Sequence, residues 1–437
     1  MGGQTEYGGG YSGMSNIILR KEVREWLDTL GTADLLVGIP SYNNARTIGH
    51  VVRAVQAGLA KYFPECTAVL VNSDGGSTDG TREVVEQAAV EDFQQILIPA
   101  RVPTFFKTAT LYQGVPGKGS AFRTVFEIAR ALEVKACAVV DSDLRSITPE
   151  WVELLLKPVW SGGYDYVAPL YHRHKYDGTI TNSIVYPLTR ALYGRCVRQP
   201  IGGDFGFSGR LAAHYLEQDV WASDVARFGI DIWMTTTALA GNFRVCQSFL
   251  GAKIHDAKDP GADLSAMLYQ VVSATFDLME TWHDVWSAAH PSTPVPSFGF
   301  RYAVGLEPIA VNVERMIERF VLGVRELSGI WEAVLPGDIL AFLGDACLST
   351  GDAFRFPDDV WGSIIYHFAL AHHERMLPRE HLLKSLTPLY IGKVASFVLE
   401  TADSSAEQVE DRIEELCLAF ENLKPLQIGR ASCRERV

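Results

Sequence analysis

The chain has 437 residues, with 39 Lys and Arg against 52 Asp and Glu and a formal net charge of −13. Hydrophobic residues make up 47% and charged residues 21%, which is ordinary for a globular protein and excludes wholesale disorder. The length predicts about two or three domains. The acidic balance disfavours a nucleic-acid partner, because phosphate binding needs a basic surface, but it permits a small anionic ligand that a few local cations hold.

The N-terminal end is predicted to be a flexible tail and a first helix, residues 1–32. Met1 to Gly13 is Gly-rich and polar and lacks the apolar centre of a signal peptide. The seven cysteines form no CxxC pair and several lie in apolar runs, which predicts reduced thiols in a cytoplasmic protein. We find no run of 18 apolar residues and therefore expect no membrane span.

Residues 33–260 alternate short apolar runs with helical patterns. The predicted strands are 35–40, 67–71, 95–99, 136–140 and 165–170, and the helices are 45–60, a segment around Val84 and Val85, and 117–132. This alternation predicts an α/β domain with a mostly parallel central sheet and helices on both faces. Ligands of such sheets bind beyond the carboxyl ends of the strands, where polar clusters occur at 41–44, 72–79 and 141–143.

The second part of the chain, residues 261–427, is predicted to be an α-helical region packed against the α/β domain. Further helices are expected at about 307–328, 358–375, 379–400 and 405–420. The last ten residues, 428–437, have four arginines and no apolar periodicity, and they resemble the translation of a sequencing adapter. They are therefore left out of the fold prediction.

Two carboxylates follow the strand predicted over 136–140, in the tripeptide Asp141-Ser142-Asp143. From a strand end, both can reach a divalent cation and the group that it holds. Hard oxygen ligands suit Mg²⁺ or Mn²⁺, and a metal that bridges a diphosphate leaving group needs this arrangement. The alternative is a surface turn, because Asp-x-Asp occurs in many loops.

Two further loops combine turn residues with polar side chains. In Gly117-Lys118-Gly119, the N–H groups at a helix start and the lysine favour an anion, although a simple helix-entry turn also explains the segment. In the turn-rich loop 72–81, Asp74 is suited to accept hydrogen bonds from a base or ribose, whereas Asp79 suits a helix start.

Three later motifs also stand out. The segment 199–206 is rich in glycine, which suits either a close approach of backbone to a ligand or a structural bend. Asp231 lies in an apolar helical run, where an unpaired carboxylate is costly, so it needs a partner or a catalytic role. His255 follows the strand predicted over 244–250, where a histidine can complete a metal shell, although a lone histidine is usually structural.

Together these segments resemble nucleotide-sugar-dependent glycosyltransferases of the GT-A fold, a Rossmann-like α/β fold. The segments 40–43, 74–81 and 141–143 are similar to the broad family-2-like group. The segments 117–119, 199–203, 229–231 and 253–255 occur in the order and spacing of mannosylglycerate synthase and glucosyl-3-phosphoglycerate synthase. The resemblance spans about residues 34–400 and includes the helical segment around Trp361 to Tyr366.

The resemblance implies a role for each matching residue. Asp143 and His255 would ligate Mg²⁺ or Mn²⁺, and Asp141 would hold the ribose or a metal-bound water. The nucleotide pocket would be lined by Pro40, Tyr42, Asn43, Asp74 and Ser77. Lys118 would contact the donor, and Gly202 and Gly203 would lie beside its sugar. Asp231 would lie near the acceptor hydroxyl, and Arg173 and Thr181 would bind the acceptor carboxylate. An arginine fork matches a carboxylate well.

Two departures from the family pattern affect the substrates. Asn44 stands where the broader group often has Glu, which leaves the donor base open. Thr179 stands where the phosphoglycerate enzymes have an arginine for the phosphate, which favours D-glycerate over 3-phosphoglycerate. A phosphate would still have Arg173, His174 and Lys175 as candidate partners.

We therefore expect a metal-dependent, retaining glycosyltransferase that makes compatible-solute-type products. It would move mannose or glucose from GDP-mannose or UDP-glucose to D-glycerate or to 3-phosphoglycerate, and we expect a homo-oligomer like the related enzymes. One alternative is an inverting family-2-like transferase for a polysaccharide or glycolipid, which usually has a membrane segment. The other is a non-catalytic nucleotide-sugar-binding protein, against which the retained Asp141, Asp143 and His255 argue.

Overall fold

The computed structural model describes residues 19–88, 105–254, 265–288, 291–302, 305, 308–349 and 351–434, and of 425–434 it describes the backbone alone. An eight-stranded sheet in the order β10-β8-β5-β7-β4-β1-β2-β3 forms its centre, and β6 and β9 form a separate pair. The strands are β1 (Leu35–Ser41), β2 (Ala68–Asp74), β3 (Phe105–Leu111), β4 (Ala136–Val139), β5 (Tyr166–His172), β6 (Arg195–Cys196), β7 (Phe205–Ser208), β8 (Val245–Ala252), β9 (Thr293–Pro294) and β10 (Ser297–Phe298).

The sheet is mostly parallel, which confirms the predicted fold class. β1 pairs in parallel with β2 and with β4, and β5 pairs in parallel with β8. β7 is the exception, because it runs antiparallel between β4 and β5. Every residue of β1 and β2 is buried, as expected for strands that helices cover on both faces.

The helices of the first part cover the two faces of this sheet. They are α1 (Lys21–Leu30), α2 (Ile48–Tyr62), α3 (Thr81–Gln87), α4 (Lys118–Ala131), α5 (Pro149–Trp160), α6 (Tyr186–Tyr193), α7 (Gly209–Leu216) and α8 (Ile230–Ala240). On one face α2 and α5 contribute Val55 and Trp151 to one apolar core, and on the other α4 contributes Phe122 and Phe126 to a second.

The predicted strands omit β3, β7 and the two-residue β10 of the observed sheet. The segment 95–99 lies outside the described residues, whereas β3, which pairs with β2, was not predicted. β3 is an edge strand that carries Lys107, Thr108 and Thr110. An edge strand needs no continuous apolar run, so its sequence gives a weaker strand signal than the buried strands do.

The helical region packs on the second of these cores. Its helices are α9 (Ser265–Thr281), α10 (His283–Ser287), α11 (Val313–Trp331), α12 (Gly337–Ala346), α13 (Asp358–His373), α14 (Arg379–Glu400) and α15 (Ala406–Arg434). One continuous apolar cluster contains Phe126 and Phe207 of the α/β part together with Phe320 and Trp361 of the helices. The boundaries at 32, 260 and 427 stay predictions, and the α15 backbone continues past residue 428.

Polar contacts also join the two parts. The Arg190 guanidinium of α6 donates to Glu421 Oε1 of α15 at 2.7 Å and also pairs with Glu414. Arg198 binds both carboxylate oxygens of Glu410 in α15, at 2.8 and 2.9 Å. α15 is therefore held against the α/β part along its described length.

One helix in the described part, α14, is long and apolar enough to cross a membrane by length and composition. In the structure, 72% of its most apolar 18-residue window is buried inside the protein. A core helix of a soluble protein passes the same test, so the evidence for a span is weak.

Candidate active site

A pocket of about 850 Å³ opens at the carboxyl ends of β1 and β4. α9 closes another side of it with Met267 and Val271. The predicted site residues on its wall are Pro40, Tyr42, Lys118, Asp141, Asp143, Arg173, Thr181, Gly202, Gly203 and Asp231. The fold thus gathers residues from 40 to 231 into one cavity, whose size falls within the range of ligand pockets.

Lys118 joins two carboxylates in this pocket. Its Nζ lies 2.8 Å from Asp141 Oδ1 and 3.2 Å from Asp231 Oδ1. Lys118 is the first residue of α4, and Asp231 lies in the first turn of α8. The buried Asp231 thus has the charged partner that its position in an apolar helix required.

The glycines beside Lys118 allow α4 to begin against the turn that precedes α8. The Gly119 N–H donates to the Arg227 carbonyl at 3.2 Å. A Cβ at Gly119 would lie 1.9 Å from the Val225 carbonyl oxygen, and one at Gly117 would lie 2.5 Å from that of Ala226. The Gly-Lys-Gly segment therefore has a packing reason as well as a chemical one.

A second lysine, Lys253, lies behind Asp141 and was not predicted as a site residue. Its Nζ is 2.8 Å from each of Asp141 Oδ2, Asp204 Oδ2 and the Gly202 carbonyl oxygen. Asp204 also accepts a hydrogen bond from the Asp141 N–H at 2.7 Å and one from the Tyr171 hydroxyl. All three donors of the Lys253 ammonium are thus used, and they fix the orientation of the Asp141 carboxylate.

We call Lys118, Lys253, Asp141, Asp204 and Asp231 the lysine–aspartate cluster. Sequence reasoning missed Lys253 and Asp204, although both stand in the quoted motifs. The available signal was a lysine at the end of an apolar strand and an aspartate in an apolar, Gly-rich segment. A buried charge in either place needs a counter-ion.

The lysine–aspartate cluster sets opposite pKa shifts on its carboxyl groups. Burial alone would raise the pKa of Asp141, but Lys118 and Lys253 outweigh burial and hold that pKa well below its usual value. Burial and the nearby Asp141 raise the pKa of Asp231, and Lys118 and Lys253 offset only part of this effect. Asp141 is therefore a fixed anion, and Asp231 is the more basic carboxylate of the two.

Both lysines of the cluster stay protonated. Burial alone would lower the pKa of Lys118, but Asp141 and Asp231 raise it above its usual value. Burial opposes the charge of Lys253 in the same way, and Asp141 and Asp204 again raise the pKa. The pocket wall therefore carries two ammonium groups, Lys118 and Lys253, and all three donors of Lys253 are already used.

Three predicted nucleotide-binding residues lie behind the pocket wall rather than on it, among the residues that the structure describes. Asp74 accepts hydrogen bonds from the hydroxyls of Ser41 and Ser77 on Oδ1, and from the N–H groups of Gly76 and Ser77 on Oδ2. Asn43 Oδ1 accepts from the Thr78 N–H at 3.0 Å. Asn43, Asp74 and Ser77 thus shape the two loops, and direct contact with a nucleotide stays a prediction.

Arg173 and Thr181 form another side of the pocket. The Arg173 guanidinium lies 4.9 Å from the ring centroid of Tyr171, and its Nη1 is 3.7 Å from Asp177 Oδ2. Its Nε is buried without a hydrogen-bond partner in the described structure. A Cβ at Gly178 would lie 3.4 Å from Nη1 and 3.8 Å from Thr181 Oγ1, so the glycine keeps space beside both groups.

The other candidates for an acceptor phosphate are used elsewhere. The Lys175 ammonium donates to three backbone carbonyls that follow α14, at distances of 2.6 to 3.3 Å. Burial and the neighbouring Lys175 lower the pKa of His174, so its ring is neutral at pH 7. Thr179 Oγ1 is hydrogen-bonded to Tyr390 of α14 at 2.6 Å. The suggestion that His174 and Lys175 bind a phosphate is therefore not supported.

The predicted metal ligands are described in part. Asp143 lies on the pocket wall, and His255 lies outside the described residues. No group of three His, Cys, Asp or Glu side chains forms a metal site within the described ranges. The oxygen ligand that Asp143 offers suits Mg²⁺ or Mn²⁺, whereas both oxygens of Asp141 already face lysines.

The family described as Glycosyl transferase family 2 matches residues 36–208, from β1 to β7. Glycosyltransferase AglD of Haloferax volcanii is 28% identical over 137 residues, which are 31% of this chain and 19% of that protein. The chain thus matches about a fifth of the length of this curated relative.

Solved structures of mycobacterial proteins are also similar. Glucosyl-3-phosphoglycerate synthase from Mycobacterium tuberculosis, in complex with Mn²⁺, UDP and glucosyl-3-phosphoglycerate, has a TM-score of 0.43 and 19% identity over 57% of this chain and 80% of that one. Its complex with Mg²⁺ and UDP has a TM-score of 0.42 and 19% identity, over 60% and 83%.

Identities and TM-scores this low transfer neither a substrate nor a site residue. The family match is independent of them, and it covers the strands and loops that build most of the pocket. Residues 36–208 therefore match the glycosyl transferase family 2 model, and the activity of the whole chain is a proposal.

Proposed function

We propose that the protein is a metal-dependent, retaining hexosyltransferase that uses GDP-mannose or UDP-glucose as donor and D-glycerate as acceptor. One observation carries the proposal: the wall of a single pocket has both Lys118 and Arg173, besides Lys253, whose donors are already used. The first suits the diphosphate of a donor and the second suits the carboxylate of a small acceptor.

On the donor side, Lys118 would stabilise the negative charge that develops on the departing diphosphate. Such preorganised charges contribute most in a pocket that excludes water. Asp141 and Asp231 hold the ammonium in place, and Lys253 holds Asp141. Asp143 and His255 would hold the divalent cation, which supplies neutralisation of the diphosphate when bound.

On the acceptor side, Arg173 and Thr181 would bind the carboxylate. The guanidinium fork fits two carboxylate oxygens, and the unpartnered Nε shows that it has donors left to offer. Because Lys175 and Thr179 are engaged by α14 and the loop after it, D-glycerate is favoured over 3-phosphoglycerate.

In a single displacement with retention, the acceptor hydroxyl would attack on the face of the leaving group. Asp231 is the carboxylate on the pocket wall whose pKa burial raises, so it is the better placed to accept or orient the hydroxyl proton. Its base role is a hypothesis that substitution tests below.

The test is a matrix of the two donors against D-glycerate and 3-phosphoglycerate, with Mg²⁺ or Mn²⁺ and with product detection by mass spectrometry. We expect one donor to give a glycosylglycerate with retained anomeric configuration, and chelation to abolish the transfer. Asp143→Ala should remove the metal-dependent activity. Product from neither acceptor, or full activity of Asp143→Ala, would overturn the assignment.

Two further properties are proposals that the related enzymes suggest. The protein would be cytoplasmic and would assemble as a homo-oligomer. Light scattering on the full chain after size-exclusion chromatography measures the assembly, and a mass of 48.2 kDa, that of one chain, would contradict it.

A further inference from the structure

A second, smaller cavity adjoins the pocket on the far side of Arg173. It encloses about 270 Å³ and lies between the segment 171–182, the turn 198–202 and the start of α15. Arg173, Gly178, Thr181, Ile201 and Gly202 belong to the walls of both cavities. We call the smaller one the side cavity.

The charged groups of the side cavity are largely matched within the protein. Arg198 is held by both oxygens of Glu410, and its Nη1 donates to Asn182 Oδ1 at 2.9 Å. The Lys175 ammonium is occupied by three carbonyls, and His174 is neutral. The wall therefore has few donors for a second anion beyond Arg173 itself.

The remaining lining chemistry suits hydroxyl groups. Asn182, Gln199 and Glu410 bring amide and carboxylate groups to one small space, next to the ring of Tyr171. Gln199 is 93% buried, and its Nε2 donates to the Tyr171 carbonyl at 3.2 Å, which fixes the amide orientation. Gln199 Oε1 has no hydrogen-bond partner in the described structure, so the wall has an unused acceptor for a hydroxyl group.

We propose that the side cavity is an acceptor subsite for a neutral, hydroxyl-rich arm, such as a hexosyl group attached to the glycerate acceptor. The inference rests on the proposed function, because it takes the acceptor carboxylate to lie at Arg173 and Thr181. The reacting hydroxyl then faces Lys118 and Asp231 in the main pocket. An arm on the other hydroxyl of glycerate extends past Arg173 into the side cavity.

The reaction at the main pocket is unchanged by such an arm. The free acceptor hydroxyl oxygen forms the bond to the anomeric carbon of the donor sugar, the bond from that carbon to the diphosphate oxygen breaks, and the hydroxyl proton passes to Asp231 and from there to the departing diphosphate. The product carries two hexoses on one glycerate.

The experiment compares three acceptors with the full-length enzyme and its preferred donor: D-glycerate, D-glycerate with glucose on its 3-hydroxyl, and 3-phosphoglycerate. We expect kcat/KM for the glucosylated acceptor to exceed that for D-glycerate by about tenfold. Titration calorimetry with the same acceptors, in the presence of nucleoside diphosphate and Mn²⁺, should give the same order of affinity.

Filling the side cavity should remove this preference. Ala406 lines the cavity, and Glu407 is the exposed next residue of α15, which does not. Ala406→Trp should lower the ratio of the two kcat/KM values about tenfold, whereas Glu407→Trp should leave it within twofold. Gln199→Leu removes the unpartnered oxygen without adding bulk and should lower the ratio as well.

The outcomes separate the subsite from the proposed function. If D-glycerate is a substrate but the glucosylated acceptor is used no better, or if both cavity variants keep the wild-type ratio, the subsite is overturned and the function stands. A preference for 3-phosphoglycerate would also overturn the subsite, because it would show that the side cavity binds a phosphate and not a neutral arm. If no acceptor reacts with either donor, the function and the subsite fail together.

Discussion

Lys118 meets two carboxylates at the wall of the pocket, and replacing its charge should affect the chemical step. Lys118→Met keeps much of the side-chain volume and removes the ammonium. We expect kcat/KM to fall about 10²–10³-fold, the usual cost of losing one preorganised donor at a developing charge. Steady-state kinetics with saturating Mn²⁺ measures it.

The matched control is another lysine near a helix. Lys157 of α5 pairs with Glu153 one turn earlier, is 62% exposed and is absent from the pocket wall as described. Lys157→Met should keep wild-type kinetics. Equal losses in both variants would show that Lys118 has no special place in transfer.

Asp231 has a raised pKa, and this predicts the pH dependence of the reaction. A base works only when ionised, so kcat should rise with pH through the pKa of Asp231, which lies above the usual 3.8. Asp231→Asn should lower kcat about 10²–10⁴-fold and flatten this acid limb. Near-normal turnover of Asp231→Asn with intact metal dependence would show that Asp231 is not the base.

At the scale of elements, the turn before β7 depends on a glycine. Gly203 has φ +91°, and a Cβ there would lie 2.3 Å from Asp141 Oδ2 and 3.0 Å from Lys253 Nζ. Gly203→Ala should therefore displace Asp141 and reduce kcat/KM at least tenfold. Crystallography or kinetics with donor alone detects the change.

Gly80 provides the control for backbone strain. Its φ is +89°, nearly that of Gly203, but a Cβ there would meet nothing within 4 Å, and Gly80 does not line the pocket as described. Gly80→Ala should cost about 1 kcal/mol of unfolding free energy from strain alone and keep the activity. If both alanine variants lose the same activity, strain rather than the contact with Asp141 is responsible.

The elements show what the sequence can predict. β1, β2, β4 and β5 were found because each is an apolar run buried on both faces, and Arg379–Glu400 was predicted with the observed bounds. β3 and β7 were missed, since an edge strand and a short strand within a Gly-rich segment have no such run.

The site was predictable where a motif carries a residue and hidden where only folding brings groups together. Asp141 and Lys118 stand in short recognisable segments, and the structure pairs them. Lys253 meets Asp141 across 112 residues of chain, and Lys175 meets the end of α14 across 226. No local sequence pattern identifies such partners, because the fold determines which distant residue lies next to a buried charge.

At the scale of the whole molecule, Asp358 joins three helices. It begins α13, its Oδ1 lies 2.5 Å from Lys393 Nζ of α14, and Arg412 of α15 donates to both its oxygens. Burial alone would raise the pKa of Asp358, but Arg412 and Lys393 outweigh burial and lower the pKa below the usual 3.8. The carboxylate therefore stabilises the fold above about pH 3.8, and this stabilisation is lost as the pH falls through the lowered pKa.

Asp358→Asn should cost about 3–5 kcal/mol of unfolding free energy at pH 7, because it leaves buried cations unpaired. The difference between wild type and variant should shrink on going from pH 7 to pH 3. Urea unfolding at both pH values measures it. Asp359→Asn, at the exposed neighbouring position, should change the free energy by less than about 1 kcal/mol, and equal effects of the two variants would contradict the role of Asp358.

The net charge of −13 does not decide whether the protein binds anions. The ligands proposed here are anions, and they would meet Lys118, Arg173 and a divalent cation rather than a basic surface. Global charge governs solubility and steering, whereas binding depends on how a few groups are held.

The bond from Lys175 to the end of α14 has a consequence for protein engineering. Lys175 lies two residues from Arg173, and its three carbonyl acceptors belong to the loop that follows α14. A chimera that joins this α/β part to the helices of another transferase would leave the Lys175 ammonium without its three acceptors. The neighbouring acceptor-binding segment would then be held less firmly. Recombination libraries should therefore move residues 171–182 and 379–404 together as one inherited block, even though 196 residues separate them in the sequence.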